Sequence, residues 1–145
     1  MSIDSQTKLD RQSLISTLTP LLKGKVLFAY LFGSAAKDRM HSESDIDLAV
    51  YMKKHPITLS DKSELKDFLS AHVTRELDLI YLNDADPIIS MQVLKTGESF
   101  SVEDAQKLLE FKTVKISEYI DFKQSRKIIE DSLLTKGWPQ WKKTT

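Results

Sequence analysis

Residues 26–50 read VLFAYLFGSAAKDRMHSESDIDLAV, and this stretch decides the predicted fold. It opens with seven consecutive apolar or aromatic residues, 26–32, a pattern typical of a strand buried on both faces. Gly33-Ser34 follows as a turn that can offer backbone N–H groups to a phosphate. After ten further residues, a second strand is predicted over residues 45–52. It alternates between the apolar set Ile46, Leu48, Val50 and the set Asp45, Asp47, Ala49.

The two aspartates of the second strand predict a site for divalent metal. Asp45 and Asp47 are two residues apart, so a strand projects both from the same face. Ile46 between them points into the core and sets the register, because a one-residue slip would bury the charges. Mg²⁺ prefers oxygen ligands, and two such ions can stabilise the attacking and the leaving oxygen of a displacement at phosphorus. Together with the Gly33-Ser34 turn, the pair predicts nucleotidyl transfer.

A third carboxylate is predicted to complete this site. Asp78 lies mid-strand in ELDLIYL, residues 76–82, between two leucines. A buried, unpaired charge there would cost several kcal/mol, so a strong partner is expected. A metal shared with Asp45 or Asp47 is one such partner, and Asp78 is also a candidate general base. In the alternative interpretation Asp78 pairs with Arg75 or a lysine, or faces solvent beside Glu76.

The remaining pattern predicts one α+β domain over residues 1–145, with a core over about 25–102. A C-terminal helical segment is predicted over about 103–136, and a short tail over 137–145 contains Trp138 and Trp141. Further strands are expected at residues 76–82 and 98–102. Helices are expected at residues 8–22, 34–40, 59–72, 87–94 and 103–134, and residues 41–44 are expected to form a loop. The last helix is expected to carry an apolar stripe at helical spacing, formed by Leu108, Leu109, Ile116, Tyr119 and Ile120.

Composition excludes several classes of protein. The chain has 145 residues, no cysteine, and 21 basic against 21 acidic side chains. A disulfide framework and a thiolate metal site are therefore excluded, and direct binding to nucleic acid is not expected from a neutral chain. No apolar run approaches the roughly 20 residues that span a bilayer, so a cytoplasmic protein without membrane contact is expected.

The site residues resemble a known superfamily. Gly33-Ser34, the Asp45-Ile46-Asp47 triplet and the later Asp78 are similar to the DNA polymerase β-type nucleotidyltransferases. The segment SDIDLAV, residues 44–50, resembles the corresponding motif of the minimal nucleotidyltransferases, or MNT proteins. The resemblance implies a small mixed β-sheet flanked by helices, with a long C-terminal helix.

The resemblance also implies a role for each site residue. Gly33 and Ser34 would grip the triphosphate of ATP, and Asp45, Asp47 and Asp78 would ligate Mg²⁺. Family members often carry an arginine shortly after Gly-Ser, where this chain has Lys37 and Arg39. Either side chain could reach phosphate, although lysine lacks the bidentate fork of arginine. In the alternative interpretation both are solvated charges on a helix face.

Many MNT proteins are antitoxins beside a HEPN-domain ribonuclease toxin. The resemblance therefore implies transfer of AMP from ATP to a tyrosine of a partner toxin, which blocks its RNA cleavage. Two alternatives stay open from the sequence. One is a nucleotidyltransferase for a small molecule such as an aminoglycoside. The other is a non-catalytic, nucleotide-binding antitoxin that neutralises its partner sterically.

Overall fold

A computed structural model describes the backbone of residues 3–33 and 45–135, and the side chains of residues 11–33 and 45–133. The elements, in chain order, are α1 (Ile3–Leu22), β1 (Val26–Phe32), β2 (Ile46–Met52), α2 (Leu59–Ser70), β3 (Leu77–Tyr81), α3 (Pro87–Thr96), β4 (Glu98–Phe100) and α4 (Ala105–Thr135). The predicted α+β class with a long C-terminal helix is confirmed. The division of the chain into core, helical segment and tail stays a prediction.

The four strands form one small mixed sheet in the order β3-β2-β1-β4. Strand β1 pairs antiparallel with β2 and with β4, whereas β2 and β3 run parallel. The strand predicted to be buried on both faces is confirmed, because β1 lies inside the sheet and five of its seven residues are buried. Strand β3 is an edge strand, and this position matters for the site described below.

The sheet separates two apolar clusters, and the residues of β2 alternate between the two faces as predicted. Ile46, Leu48 and Val50 are fully buried against side chains of α1 and α2. Ala49, on the other face, belongs to the cluster formed with α3 and α4. Because both faces are covered, the register of β2 is specified by two independent sets of contacts. Asp47 shares the second face, close to the end of the strand.

Several predicted boundaries differ from the observed ones. Helix α1 begins at Ile3 rather than residue 8, and α2 ends at Ser70 rather than residue 72. The apolar stripe predicted on the last helix is only partly a core face. Leu108 is buried, but Leu109, Ile116 and Ile120 are exposed, since α4 turns Phe111 toward the sheet instead. The short helix predicted at residues 34–40, the loop at 41–44 and the tail at 137–145 lie outside the described residues.

Within those described ranges, no helix is both long and apolar enough to cross a membrane.

A capping box starts α2 at Thr58. The Thr58 hydroxyl accepts a hydrogen bond from the Asp61 N–H at 3.1 Å, and the Asp61 carboxylate accepts one from the Thr58 N–H at 2.8 Å. Two N–H groups that the helix itself leaves unpaired are thereby satisfied.

Replacing this cap should measurably destabilise the protein. We expect Thr58→Ala to lower the free energy of unfolding by about 1 kcal/mol, the usual loss for an N-cap. Thr17 is the matched control, because its hydroxyl bonds the Ser13 carbonyl inside α1 and caps nothing. Thr17→Ala should stay within about 0.5 kcal/mol of the wild type, as exposed substitutions usually do. Equal losses in urea denaturation for both variants would contradict the capping role.

Candidate active site

Two carboxylates face each other across neighbouring strands at one end of the sheet. Asp47 on β2 is in register with Asp78 on β3, and the two strands run parallel. Paired residues of adjacent strands lie about 5 Å apart and project from the same face. Asp45 immediately precedes β2 and is two residues from Asp47, so it joins the same face. The three aspartates predicted from the sequence are therefore brought together.

Their charges act on one another. The pKa of the Asp47 carboxyl is raised above its usual value, first by partial burial and then by the negative charges of Asp78 and Asp45. Asp47 is half-buried, whereas Asp45 and Asp78 are exposed. Burial and like charges both disfavour the ionised form of a carboxyl group. Because three carboxyl groups share this end of the sheet, negative charge is concentrated there when they ionise. A cation placed there would relieve the repulsion.

The expectation that Asp78 is a buried charge is wrong. Its apolar neighbours in sequence predict a buried charge, yet the Asp78 side chain is exposed. Strand β3 lies at the edge of the sheet, where a side chain has a neighbouring strand on one side only. No burial penalty therefore forces a partner on Asp78. Asp78 is assigned to the candidate site because it is in register with Asp47.

Gly33 has a contact that sequence reasoning missed. Its φ of +71° is a left-handed conformation that glycine adopts readily. A Cβ built on Gly33 would overlap the Asp47 carboxylate oxygen Oδ2 and would lie 2.9 Å from Cγ. Gly33 therefore leaves room for the Asp47 carboxylate, in addition to the phosphate contact predicted for it. The only sequence signal for this contact was the spacing between the Gly-Ser turn and the second strand.

Three of the predicted nucleotide-binding residues are not placed. Ser34, Lys37 and Arg39 lie in residues 34–44, outside the part of the chain that the structure describes. Their contact with a triphosphate stays a prediction.

The carboxylates of Asp45, Asp47 and Asp78 are chemically suited to bind magnesium. All three side chains are carboxylates, the hard oxygen ligands that Mg²⁺ prefers, and one or two of them per ion suffice. Among the described residues, however, no group of three or more acidic, histidine or cysteine side chains is spaced to hold a metal ion. Metal ligation by Asp45, Asp47 and Asp78 therefore stays a prediction.

Two cavities of the described structure lie away from these carboxylates. One, of about 560 Å³, runs along the exposed part of α4 and reaches Ile88. The other, of about 540 Å³, lies near Gly24 and Met52, at the opposite end of the two central strands. Neither cavity is lined by Asp45, Asp47 or Asp78. The candidate site is therefore recognised from its charges and from the register of β2 with β3.

The family model described as polymerase beta, nucleotidyltransferase matches residues 15–107, which include all of the sheet and every placed site residue. The chain belongs to the polymerase beta nucleotidyltransferase family. The fold expected from the resemblance, a small mixed sheet flanked by helices, is the one observed for this nucleotidyltransferase. No curated protein matches the chain.

Several solved structures that are similar to this nucleotidyltransferase come from toxin–antitoxin complexes. A chain from a toxin–antitoxin crystal structure with AMP-PNP is 27% identical, with a TM-score of 0.67 over 86% of this chain and 98% of that one. A chain from the tri-AMPylated Shewanella oneidensis HEPN toxin in complex with MNT antitoxin is 25% identical, with a TM-score of 0.62, covering 88% of this chain and 98% of that one. A chain from an MntA–HepT complex is also 25% identical, with a TM-score of 0.61 over 88% and 98% of the two chains.

Proposed function

We propose that this nucleotidyltransferase transfers AMP from ATP to a hydroxyl of a partner HEPN toxin and so acts as its antitoxin. The observation that carries the proposal is the register of Asp47 with Asp78, with Asp45 two residues away on the same face. A concentrated set of carboxylates at the end of a sheet is the arrangement that nucleotidyl transfer requires. Burial first, and then the negative charges of Asp78 and Asp45, raise the pKa of Asp47, so a cation bound beside it would favour the ionised carboxylate.

The reaction assigns a task to each carboxylate. The acceptor hydroxyl oxygen forms a bond to the α-phosphorus of ATP, the bond from that phosphorus to the bridging oxygen breaks, and pyrophosphate leaves. Asp45, Asp47 and Asp78 would hold Mg²⁺, which supplies screening of the triphosphate charge and stabilisation of the attacking and leaving oxygens. Asp78 is exposed on the edge strand, and it would take the proton of the acceptor hydroxyl. Gly33 keeps the space in which the Asp47 carboxylate lies.

The identity of nucleotide and acceptor is supported by the similar complexes. One was solved with AMP-PNP, and another contains a HEPN toxin that carries three AMP groups. Both similarities extend over more than four fifths of this chain. We therefore propose ATP as the substrate and a tyrosine of the HEPN partner as the acceptor.

Intact-mass measurement tests this function directly. The nucleotidyltransferase is incubated with its HEPN partner, ATP and Mg²⁺, and the partner is weighed. We expect the mass to rise by whole AMP units, and to stay constant with the double variant Asp45→Asn/Asp47→Asn. Asp67→Asn is the matched control, because Asp67 is exposed on α2 on the far side of the sheet and should leave the transfer unchanged.

The same experiment separates the alternatives. A partner that is inhibited but keeps its mass would reject the enzymatic proposal and favour neutralisation by contact. A partner that is neither modified nor inhibited, with AMP transferred to an aminoglycoside in its place, would favour the small-molecule enzyme. Omitting Mg²⁺ should abolish the mass increase, and transfer that survives a strong chelator would contradict the metal requirement.

A further inference from the structure

The phenylalanine that ends β1 lies in the same row of the sheet as two of the carboxylates. Phe32 is the register partner of Asp47, and Asp47 is in turn the register partner of Asp78. Directly opposed residues of an antiparallel pair project from the same face, with their Cβ atoms about 5 Å apart. An aromatic ring therefore stands next to the candidate metal site, immediately before Gly33.

Phe32 lies at the boundary between the covered and the open part of this face. One row further into the sheet, Tyr30 is 3% exposed and Ala49 is 0% exposed, since both pack in the cluster formed with α3 and α4. Phe32 packs against the same cluster but is only half-buried. Because its buried part contacts that cluster, its exposed part is directed toward the end of the strands, where Asp47 and Gly33 lie.

The C-terminal end of α3 restricts where the Phe32 ring can lie. Gly97 directly follows α3, and a Cβ built on it would lie 3.2 Å from the Phe32 Cβ and 2.6 Å from the Val93 carbonyl oxygen. Any residue other than glycine would therefore force α3 and β1 apart. The backbone at the end of α3 packs directly against the base of the Phe32 side chain, on the side away from the carboxylates.

A nucleoside triphosphate has a part that fits such a surface. In the proposed reaction the α-phosphate of ATP lies at the carboxylates, so its ribose and base occupy a neighbouring position. Every nucleobase has a flat π-face, and proteins bind this face by stacking an aromatic side chain on it. Among the described residues in register with Asp47, Phe32 is the one that offers an aromatic ring.

We infer that the half-buried Phe32 ring, in register with Asp47, is the surface on which the base of the bound nucleoside triphosphate stacks. The inference rests on the proposed function and assigns a residue to the nucleoside half of the substrate, whereas the carboxylates act on its phosphate half. Stacking does not read the hydrogen-bonding edge of a base. Phe32 therefore supplies affinity for nucleoside triphosphates as a class and does not discriminate adenine from guanine.

Equilibrium binding of ATP and of inorganic tripolyphosphate to the full chain tests the inference without the HEPN partner. Both ligands carry three linked phosphates, and only ATP carries a base. We expect Phe32→Leu to raise the dissociation constant for ATP about tenfold, as the loss of one stacked base commonly does. The dissociation constant for tripolyphosphate should stay unchanged. Isothermal titration calorimetry in the presence of Mg²⁺ measures both constants.

Phe68→Leu is the matched control for the loss of an aromatic ring. Phe68 is also half-buried, but it lies on α2 and packs against the cluster on the other face of the sheet. This variant should bind both ligands as the wild type does. If Phe32→Leu weakens ATP and tripolyphosphate equally, the substitution disturbs the phosphate site through the fold, and the inference is overturned. Unchanged affinity for ATP in Phe32→Leu overturns it as well.

Nuclear magnetic resonance gives a second test that needs no variant. In the ATP complex of the wild-type chain, we expect nuclear Overhauser effects between the ring protons of Phe32 and the H2 or H8 proton of adenine. The same effects should appear with the H8 proton of GTP, because stacking is tolerant of the base. Bound ATP whose base protons show no such contact with Phe32 would contradict the inference.

The results also separate this inference from the proposed function. ATP affinity that depends on Phe32, in a chain that transfers no AMP to its HEPN partner, would reject the proposed function and keep the stacking surface. AMP transfer to the partner, with unchanged ATP affinity in Phe32→Leu, would keep the function and reject the stacking surface. A wild-type chain that binds no ATP would reject both.

Discussion

Asp47→Asn should reduce AMP transfer about 1,000-fold, because a metal site contributes several kcal/mol of charge stabilisation and each 1.36 kcal/mol is a factor of ten. Asparagine keeps the shape of the side chain and removes its charge. Asp47 is the central member of the set, in register with Asp78 and two residues from Asp45. The rate of partner modification at saturating ATP measures the effect. Asp67→Asn, far from the site on α2, should retain the wild-type rate.

The same variant should be more stable than the wild type at neutral pH. The pKa of Asp47 is raised in the folded protein above its usual value of 3.8. A raised pKa means that folding favours the protonated form, so this contribution to stability is present below pH 3.8 and is lost as the pH rises through the folded pKa. At pH 7 the ionised carboxylate therefore opposes folding. In metal-free buffer, Asp47→Asn should raise the melting temperature at pH 7, and the difference should close as the pH falls toward 4.

A melting temperature that is lower for Asp47→Asn at pH 7 would contradict this account of the site. It would show that the carboxylate stabilises the fold through a contact that asparagine cannot make. The combination expected here, lower activity with higher stability, is typical of a functional site that opposes folding.

Gly33→Ala should reduce transfer by about two orders of magnitude while the protein still folds. The added Cβ overlaps the end of the Asp47 side chain, which can rotate away, so the carboxylate is displaced and the backbone stays. A misplacement of about 1 Å at a catalytic group can reduce the rate roughly 100-fold. The left-handed φ of +71° adds a loss of stability of about 1–2 kcal/mol for a residue with a Cβ.

Gly24→Ala is a closely matched control for this effect. Gly24 has a similar φ of +77°, but an added Cβ would meet no atom within 4 Å. We expect Gly24→Ala to lose the same stability in denaturation and to keep the wild-type rate of transfer. If both variants retain activity, the contact between Gly33 and Asp47 does not position the carboxylate. If both lose it equally, backbone strain alone is responsible.

Local patterns were sufficient for most of the elements. The continuous apolar run of β1 and the alternation in β2 were predicted with at most one residue of error, because each pattern reports directly on which faces are buried. The exposure of the apolar stripe on α4 was harder to predict from the sequence. Helical spacing shows that one face is apolar, but it does not show how far the rest of the fold extends along a helix of 31 residues.

Asp45 and Asp47 share a face because of the strand period alone, so the sequence by itself determined that pair and the chemistry it suggests. Only the tertiary structure decided that Asp78 lies beside Asp47, that it is exposed on an edge strand, and that Gly33 contacts the Asp47 carboxylate. The physical reason is that strand order and register between distant segments depend on packing against both faces of the sheet. Two apolar clusters, one with α1 and α2 and one with α3 and α4, hold β2 and β3 in the register that assembles the site.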